Sequence, residues 1–135
     1  MASIDVNADK FIGKGLIFPI IINSSGRPDI MGGKKLLESS FNNILSWAIG
    51  TRFFLGEYGT NLERLLQEPN DLISQNLVKH YTVDVIKLWE KRVDVLDVKL
   101  INKGDYILDI EIVYLIKSSK IQDSFIFPYY SQIKY

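Results

Sequence analysis

Hydrophobic and polar positions along the chain keep a helical period in the first two thirds and an alternating one afterwards. Leu16-Ile17-Phe18-Pro19-Ile20-Ile21-Ile22 is an apolar run of β-branched and aromatic residues, which predicts a strand. Pro19 has no N–H to donate, so that strand is expected at an edge or at a bulge. Residues 23–28, Asn-Ser-Ser-Gly-Arg-Pro, form a turn cluster. Over 34–49, Leu37, Phe41, Ile44, Leu45 and Ala48 recur at i, i+4, i+7, i+8 and i+11, the stripe of an amphipathic helix. Gly50 falls where a helix C-terminal cap belongs. A short run, Phe53-Phe54-Leu55, leads into Gly56-Glu57-Tyr58-Gly59, which reads as a tight connection. Asn61 then caps a short helix through Leu62, Leu65 and Leu66, which Pro69 ends. A third helix is predicted over 71–89, with Ile73, Leu77, Tyr81, Val85 and Leu88 as its buried face.

From residue 93 the period becomes two. Leu96, Val98 and Leu100 share one face of a strand over 93–101, with Asp97 and Lys99 opposite. Val93 and Val95 are out of phase with that set, which predicts a bulge near Val95-Leu96. Asn102-Lys103-Gly104-Asp105 is a hairpin turn signal. The longest strand is expected over 106–116. Its residues Leu108, Ile110, Ile112, Tyr114 and Ile116 face one side, and Asp109 and Glu111 give way to Val113 and Leu115 on the other. That end is therefore expected to be buried on both faces. Phe125-Ile126-Phe127 is a last short strand before Pro128. The order is an N-terminal strand, three helices and a C-terminal antiparallel sheet, an α+β fold. One domain over 1–135 is expected, with 1–14 as a flexible arm.

Composition narrows the function mainly by exclusion. Of the 135 residues 47% are hydrophobic, enough for a core. Sixteen Lys and Arg balance sixteen Asp and Glu, so the net basic footprint of a nucleic-acid binder is missing. Without cysteine there is no disulfide, thiolate metal site or cysteine nucleophile. The start has neither the basic nor the apolar region of a signal peptide, and 16–22 is too short to span a bilayer. The chain is therefore expected to be made and held in the cytoplasm, with no nucleic-acid or membrane partner. His80, the single histidine, lacks a second ligand at helical spacing and reads as structural. No phosphate-binding glycine loop, His-Glu-x-x-His or Gly-x-Ser-x-Gly pattern occurs. A hydrolase using two carboxylates would have to draw on Glu57, Glu63, Glu68 or Asp71. Glu63 and Glu68 read as ordinary solvated or capping positions. No catalytic residue, cofactor, metal or small-molecule substrate is expected.

A spaced set of signatures carries more. Gly50-Thr51-Arg52, Gly56-Glu57-Tyr58-Gly59 and Leu62-x-x-Leu65-Leu66-x-Glu68-Pro69-Asn70 together resemble the central motif of the baseplate wedge family. That family comprises wedge proteins of contractile phage tails, the TssE component of type VI secretion, and related phage-tail-like injection particles. Trp89-Glu90-Lys91-Arg92-Val93 is similar to the family's Trp-Glu-Pro-Arg-Ile segment, followed by the expected Val95-Leu96-Asp97-Val98 strand. Gly15-Leu16-Ile17-Phe18-Pro19 resembles its Gly-x-x-Phe-Pro opening, and Phe127-Pro128-Tyr129 its closing pattern. The likeness thus runs from Gly15 to Tyr129. Lys91 departs from the usual Pro, and the loop after Arg52 is shorter than in many phage members. Both features sit closer to the tail-like particles.

The resemblance implies a structural, non-enzymatic baseplate component that joins other wedge proteins and initiates the sheath by offering a sheet edge to the sheath protein. It implies that Arg52, Glu57, Glu90 and Arg92 contact neighbouring wedge subunits through charge-assisted hydrogen bonds. Read without it, Glu90 and Arg92 would form a local surface ion pair worth about 0–1 kcal/mol. The docking edge is expected at Ile126, with Val113 in an internal strand. The alternatives are a peptidoglycan-cleaving, lysozyme-like hydrolase acting through Glu57 and Glu68, and an unrelated interaction adaptor.

Overall fold

A computed structural model describes residues 10–65, 71–104 and 107–130. Strands β1 (Lys14–Leu16) and β2 (Ile30–Gly32) pair antiparallel as a small ribbon. Helices α1 (Lys34–Ser46), α2 (Leu62–Leu65) and α3 (Leu72–Trp89) follow, then β3 (Val93–Gly104), β4 (Ile107–Ile116) and β5 (Gln122–Tyr130). These last three form an antiparallel sheet in the order β3-β4-β5, so β4 is central and β5 is an edge. The α+β arrangement is the expected one.

The core lies between one face of this sheet and the helices. Leu37, Phe41 and Leu45 of α1 and Val78 and Ile86 of α3 pack with Val93, Val98, Ile110, Ile112, Tyr114 and Phe127. Phe41 is fully buried and meets Tyr114 edge to face, with ring centroids 5.0 Å apart. The other face of β4 stays half-buried at Glu111, Val113 and Leu115, so the expected burial on both faces is absent.

The bulge is where the phase break places it. The β3–β4 register skips between Val95 and Asp97, leaving Leu96 without a partner. Val93 points into the core before the skip and Val98 after it, each at most 3% exposed.

Four further expectations are corrected. The strand over 16–22 shrinks to Lys14–Leu16, because the chain passes through Pro19, which has no donor for a ladder. Only an isolated bridge, Ile22 to Pro28, continues it. Helix α1 stops at Ser46 with Trp47 as its extended C-cap, so Gly50 lies in the following loop and caps nothing. On α3, Ile73, Leu77 and Leu88 are exposed, while Val78, Thr82, Val85 and Ile86 are buried. Strand β5 runs nine residues, through Pro128, rather than three.

Asp71 caps α3, its side chain accepting from the Ser74 N–H at 2.7 Å. Leu66, Glu68, Pro69, Asn70, Asp105 and Tyr106, and residues 1–9 of the expected arm, lie outside the described residues. Ile12, within that arm, is buried.

Candidate partner-binding site

Two stretches of chain converge at the C-terminal end of α3. The first is the loop over 47–61, which connects α1 and α2. Its two ends are tied: Thr60 N–H donates to the Trp47 carbonyl at 2.8 Å and Ile49 N–H to the Thr60 carbonyl at 3.2 Å. Gly59 makes this closure possible. Its φ of +112 favours glycine, and a Cβ there would come within 2.2 Å of the Trp47 carbonyl oxygen. Further in, Gly50 N–H donates to the Gly56 carbonyl at 2.7 Å, and the Thr51 hydroxyl donates to the Ala48 carbonyl at 2.6 Å.

This closed loop sets Arg52 over the ring of Tyr58, 4.4 Å from its centroid. Tyr58 in turn meets Trp89, the last residue of α3, edge to face at 5.1 Å. Burial pushes the Tyr58 phenol up; the Arg52 charge acts against this and the Glu90 charge with it. Glu57 is exposed beside this stack.

The second stretch is the α3–β3 junction. Glu90 is the C-cap of α3, its N–H donating to the Ile86 carbonyl at 2.8 Å, and it is only 3% exposed. Its carboxylate is nevertheless well supplied. Arg92 Nε donates to Oε1 at 2.6 Å and Nη2 to Oε2 at 2.7 Å, a fork that matches the carboxylate plane. The Ser40 hydroxyl of α1 adds a bond to Oε2 at 2.6 Å. Burial alone would raise the Glu90 pKa, but these hydrogen bonds and the Arg92 charge hold it below the ordinary carboxylate range. Arg92 also donates from Nη1 to the Ile12 carbonyl at 2.9 Å, pinning the N-terminal segment to the sheet.

Arg52, Glu90 and Arg92 thus belong to one neighbourhood, linked through Tyr58 and Trp89. Ile126 stands apart on β5 and is half exposed. Ser40, Tyr58 and Trp89 were not candidates in the sequence. Ser40 and Ser39 precede Phe41 in an apolar stripe, the one signal that a hydroxyl is needed on that helix face. The carboxylate pair of the hydrolase alternative cannot be assembled from what is described, since Glu68 lies outside it. Among the described residues no group of three or more His, Cys, Asp or Glu could hold a metal ion.

The family model of baseplate wedge protein gp25 matches residues 32–120. The chain belongs to this family. The match takes in the closed loop, the Glu90–Arg92 junction and the sheet through β4, whereas the motifs at 15–19 and 127–129 lie outside it. Among solved structures, a chain of the six-fold symmetrised cryo-EM baseplate of the anti-feeding prophage is similar. Its TM-score is 0.68 and its identity 15%, over 93% of this chain and 91% of that one. A tail lysozyme candidate from Geobacter sulfurreducens, known from a crystal structure, has a TM-score of 0.67 and 21% identity, over 71% of this chain and 88% of that one. At these identities the likeness is one of fold. No curated protein matches the chain. A wedge protein is a structural part of a baseplate, and other baseplate proteins are its partners.

Proposed function

We propose that this wedge protein joins neighbouring baseplate subunits of a contractile injection system through Arg52, Glu57 and the Glu90-held Arg92, and starts the sheath at the β5 edge. It is assembled in the cytoplasm and is not an enzyme. Glu90, its oxygens filled from within the chain, serves by fixing the direction of Arg92.

The observation that carries the sheath reading is the phase of β5. Pairing with β4 runs without a skip from Gln122 to Tyr130, so Ser124, Ile126 and Pro128 present their backbone on the same side. Proline in a strand sits with its nitrogen away from the ladder, which makes that side the outer one. Ser124 agrees, since its N–H is taken by the Asp123 carboxylate at 2.8 Å. With Ser124 covered and Pro128 lacking a donor, Ile126 holds the open amide in the middle of this edge. An added strand from the sheath protein would be placed in register by that amide. The other edge, β3, is less suited: the bulge at Leu96 breaks its ladder, and Asp97 covers the Val98 N–H at 2.8 Å.

Ile126→Pro removes this donor in a phase that already accepts Pro128, so the protein folds and enters the baseplate but carries no sheath. Ile126→Ala is sheathed normally. Val113→Pro, in the central strand, unfolds the chain. Electron microscopy of particles carrying each variant reads this out. Sheathed Ile126→Pro particles would overturn the docking reading.

A further inference from the structure

Arg92 has donors left over. Its guanidinium carries five N–H groups, and three of them are used, two on Glu90 and one on the Ile12 carbonyl. Because the fork to Glu90 fixes the plane of the group, the other two N–H hold a set direction. Arg92 lines an open cleft of about 380 Å³. Phe11 and Ile12 give this cleft a mainly apolar lining, and Lys117 and Ser118, in the turn after β4, complete it. The Lys117 N–H donates to the Arg92 carbonyl at 3.0 Å, so the two cationic residues are anchored side by side. Among the described residues no acid lines the cleft. Lys117 does meet Asp94, at 3.4 Å, but both ends of that pair are half exposed, so solvent screens it and the ammonium can turn to another carboxylate.

We propose that this cleft receives an acidic side chain, flanked by an apolar one, from a neighbouring baseplate wedge protein. This rests on the joining function above and names what Arg92 meets there. The incoming carboxylate takes the two open N–H of Arg92 and the ammonium of Lys117 in charge-assisted hydrogen bonds. Glu90 already offsets the Arg92 charge, which leaves Lys117 to balance one carboxylate. That carboxylate can leave water because its oxygens meet donors already in position, and a guanidinium held by its own Glu loses little freedom on docking. The apolar neighbour packs on Phe11, which is 74% exposed at the rim.

The full chain, co-expressed with the other wedge proteins, is compared with three variants. Lys117→Glu binds the wedge subassembly roughly tenfold or more weakly, and Phe11→Ser is weakened as well. Asp94→Ala, which releases Lys117 from its screened pair, binds about twofold to fivefold more tightly. All three positions are exposed, so the melting midpoints stay near wild type. Lys117→Glu and Asp94→Ala break the same ion pair, so a merely structural pair would move both affinities in one direction. Opposite signs are the mark of an external carboxylate. A water-soluble carbodiimide, which joins an ammonium to a carboxylate in contact with it, couples Lys117 to an Asp or Glu of a neighbouring wedge protein in the wild-type assembly. Wild-type affinity of Lys117→Glu or of Phe11→Ser overturns the cleft. So do equal signs for Lys117→Glu and Asp94→Ala, or coupling of Lys117 only to Asp94 or to a second copy. In each of those cases the joining function stands, because the wild-type chain is still bound. A wild-type chain that binds no wedge protein would overturn the cleft and the joining function together.

Discussion

Replacing Arg92 by Ala tests how the α3–β3 junction is held. Glu90 is 3% exposed, and Arg92 supplies two of the bonds to its carboxylate, at 2.6 and 2.7 Å. Without the guanidinium, the buried charge keeps the Ser40 hydroxyl and a long contact, 3.3 Å, from the residue 92 N–H. Removing one partner of a buried ion pair costs about 3–5 kcal/mol. The Arg92 side chain is 32% exposed, so solvent already screens part of the attraction and the lower end applies, about 3 kcal/mol. Loss of the bond to the Ile12 carbonyl adds about 1 kcal/mol. For a chain of this size each kcal/mol moves the midpoint by about 3–4 °C, so Arg92→Ala, losing about 4 kcal/mol, melts roughly 12–16 °C early. The double variant Glu90→Gln/Arg92→Ala removes the stranded charge and recovers about 1–2 kcal/mol of the loss. Thermal melting and urea titration of the isolated protein measure both. A single variant within about 3 °C of wild type, or a double variant no more stable than the single, would refute the reasoning.

The same carboxylate governs acid stability. Its folded pKa lies below its ordinary 4.5, so its contribution is complete above that value and is lost as pH falls through the folded pKa. Acid titration followed by circular dichroism should therefore show this loss only below about pH 4.5; in Arg92→Ala, where burial outweighs the bonds that remain, the stranded charge destabilises at neutral pH and acidification relieves part of that deficit instead. The loop glycines differ by what surrounds them. Gly50→Ala, at φ +86 with open space around it, costs about 1–2 kcal/mol. Gly59→Ala also drives a Cβ into the Trp47 carbonyl and costs more, at least about 2 kcal/mol, so equal urea midpoints would contradict the loop closure described.

The sheet was largely legible in the sequence because its signals are local. Val93 and Val95 sit on the wrong parity for Leu96, Val98 and Leu100, and a single bulge resolves the conflict. The buried face of α3 was legible only at Val85 and, in part, at Tyr81, for a definite reason. It runs through Thr82, a polar residue that counts against the stripe. In the fold the Thr82 hydroxyl is satisfied by the Val78 carbonyl at 2.8 Å, which lets it lie in the core. Ile73, Leu77 and Leu88 offered a cleaner period and proved exposed. A period alone cannot separate an apolar stripe for the core from one left on the surface. At the site, the Glu90–Arg92 pair is a near neighbour in sequence and could be read. Ser40 reaches it across fifty residues, and the Arg52–Tyr58–Trp89 stack exists only because the loop closes. The extent of β5 was hidden by Pro128, which reads as a terminator but lies in the phase an edge strand tolerates.

The antiparallel ladder between β4 and β5 has a mechanical consequence. Nine residue pairs link the two strands, and ten more link β4 to β3. A pull transmitted along the axis of β5 would load those nine pairs side by side, in shear. A pull across it at one end would open them one after another, like a zip. The near end of β5 is tethered to the first turn of α1 by Lys34, whose ammonium lies 2.8 Å from Asp123. A sheath that draws along this strand would meet the ladder in its stiff direction and hand the load through the sheet to the helices behind it.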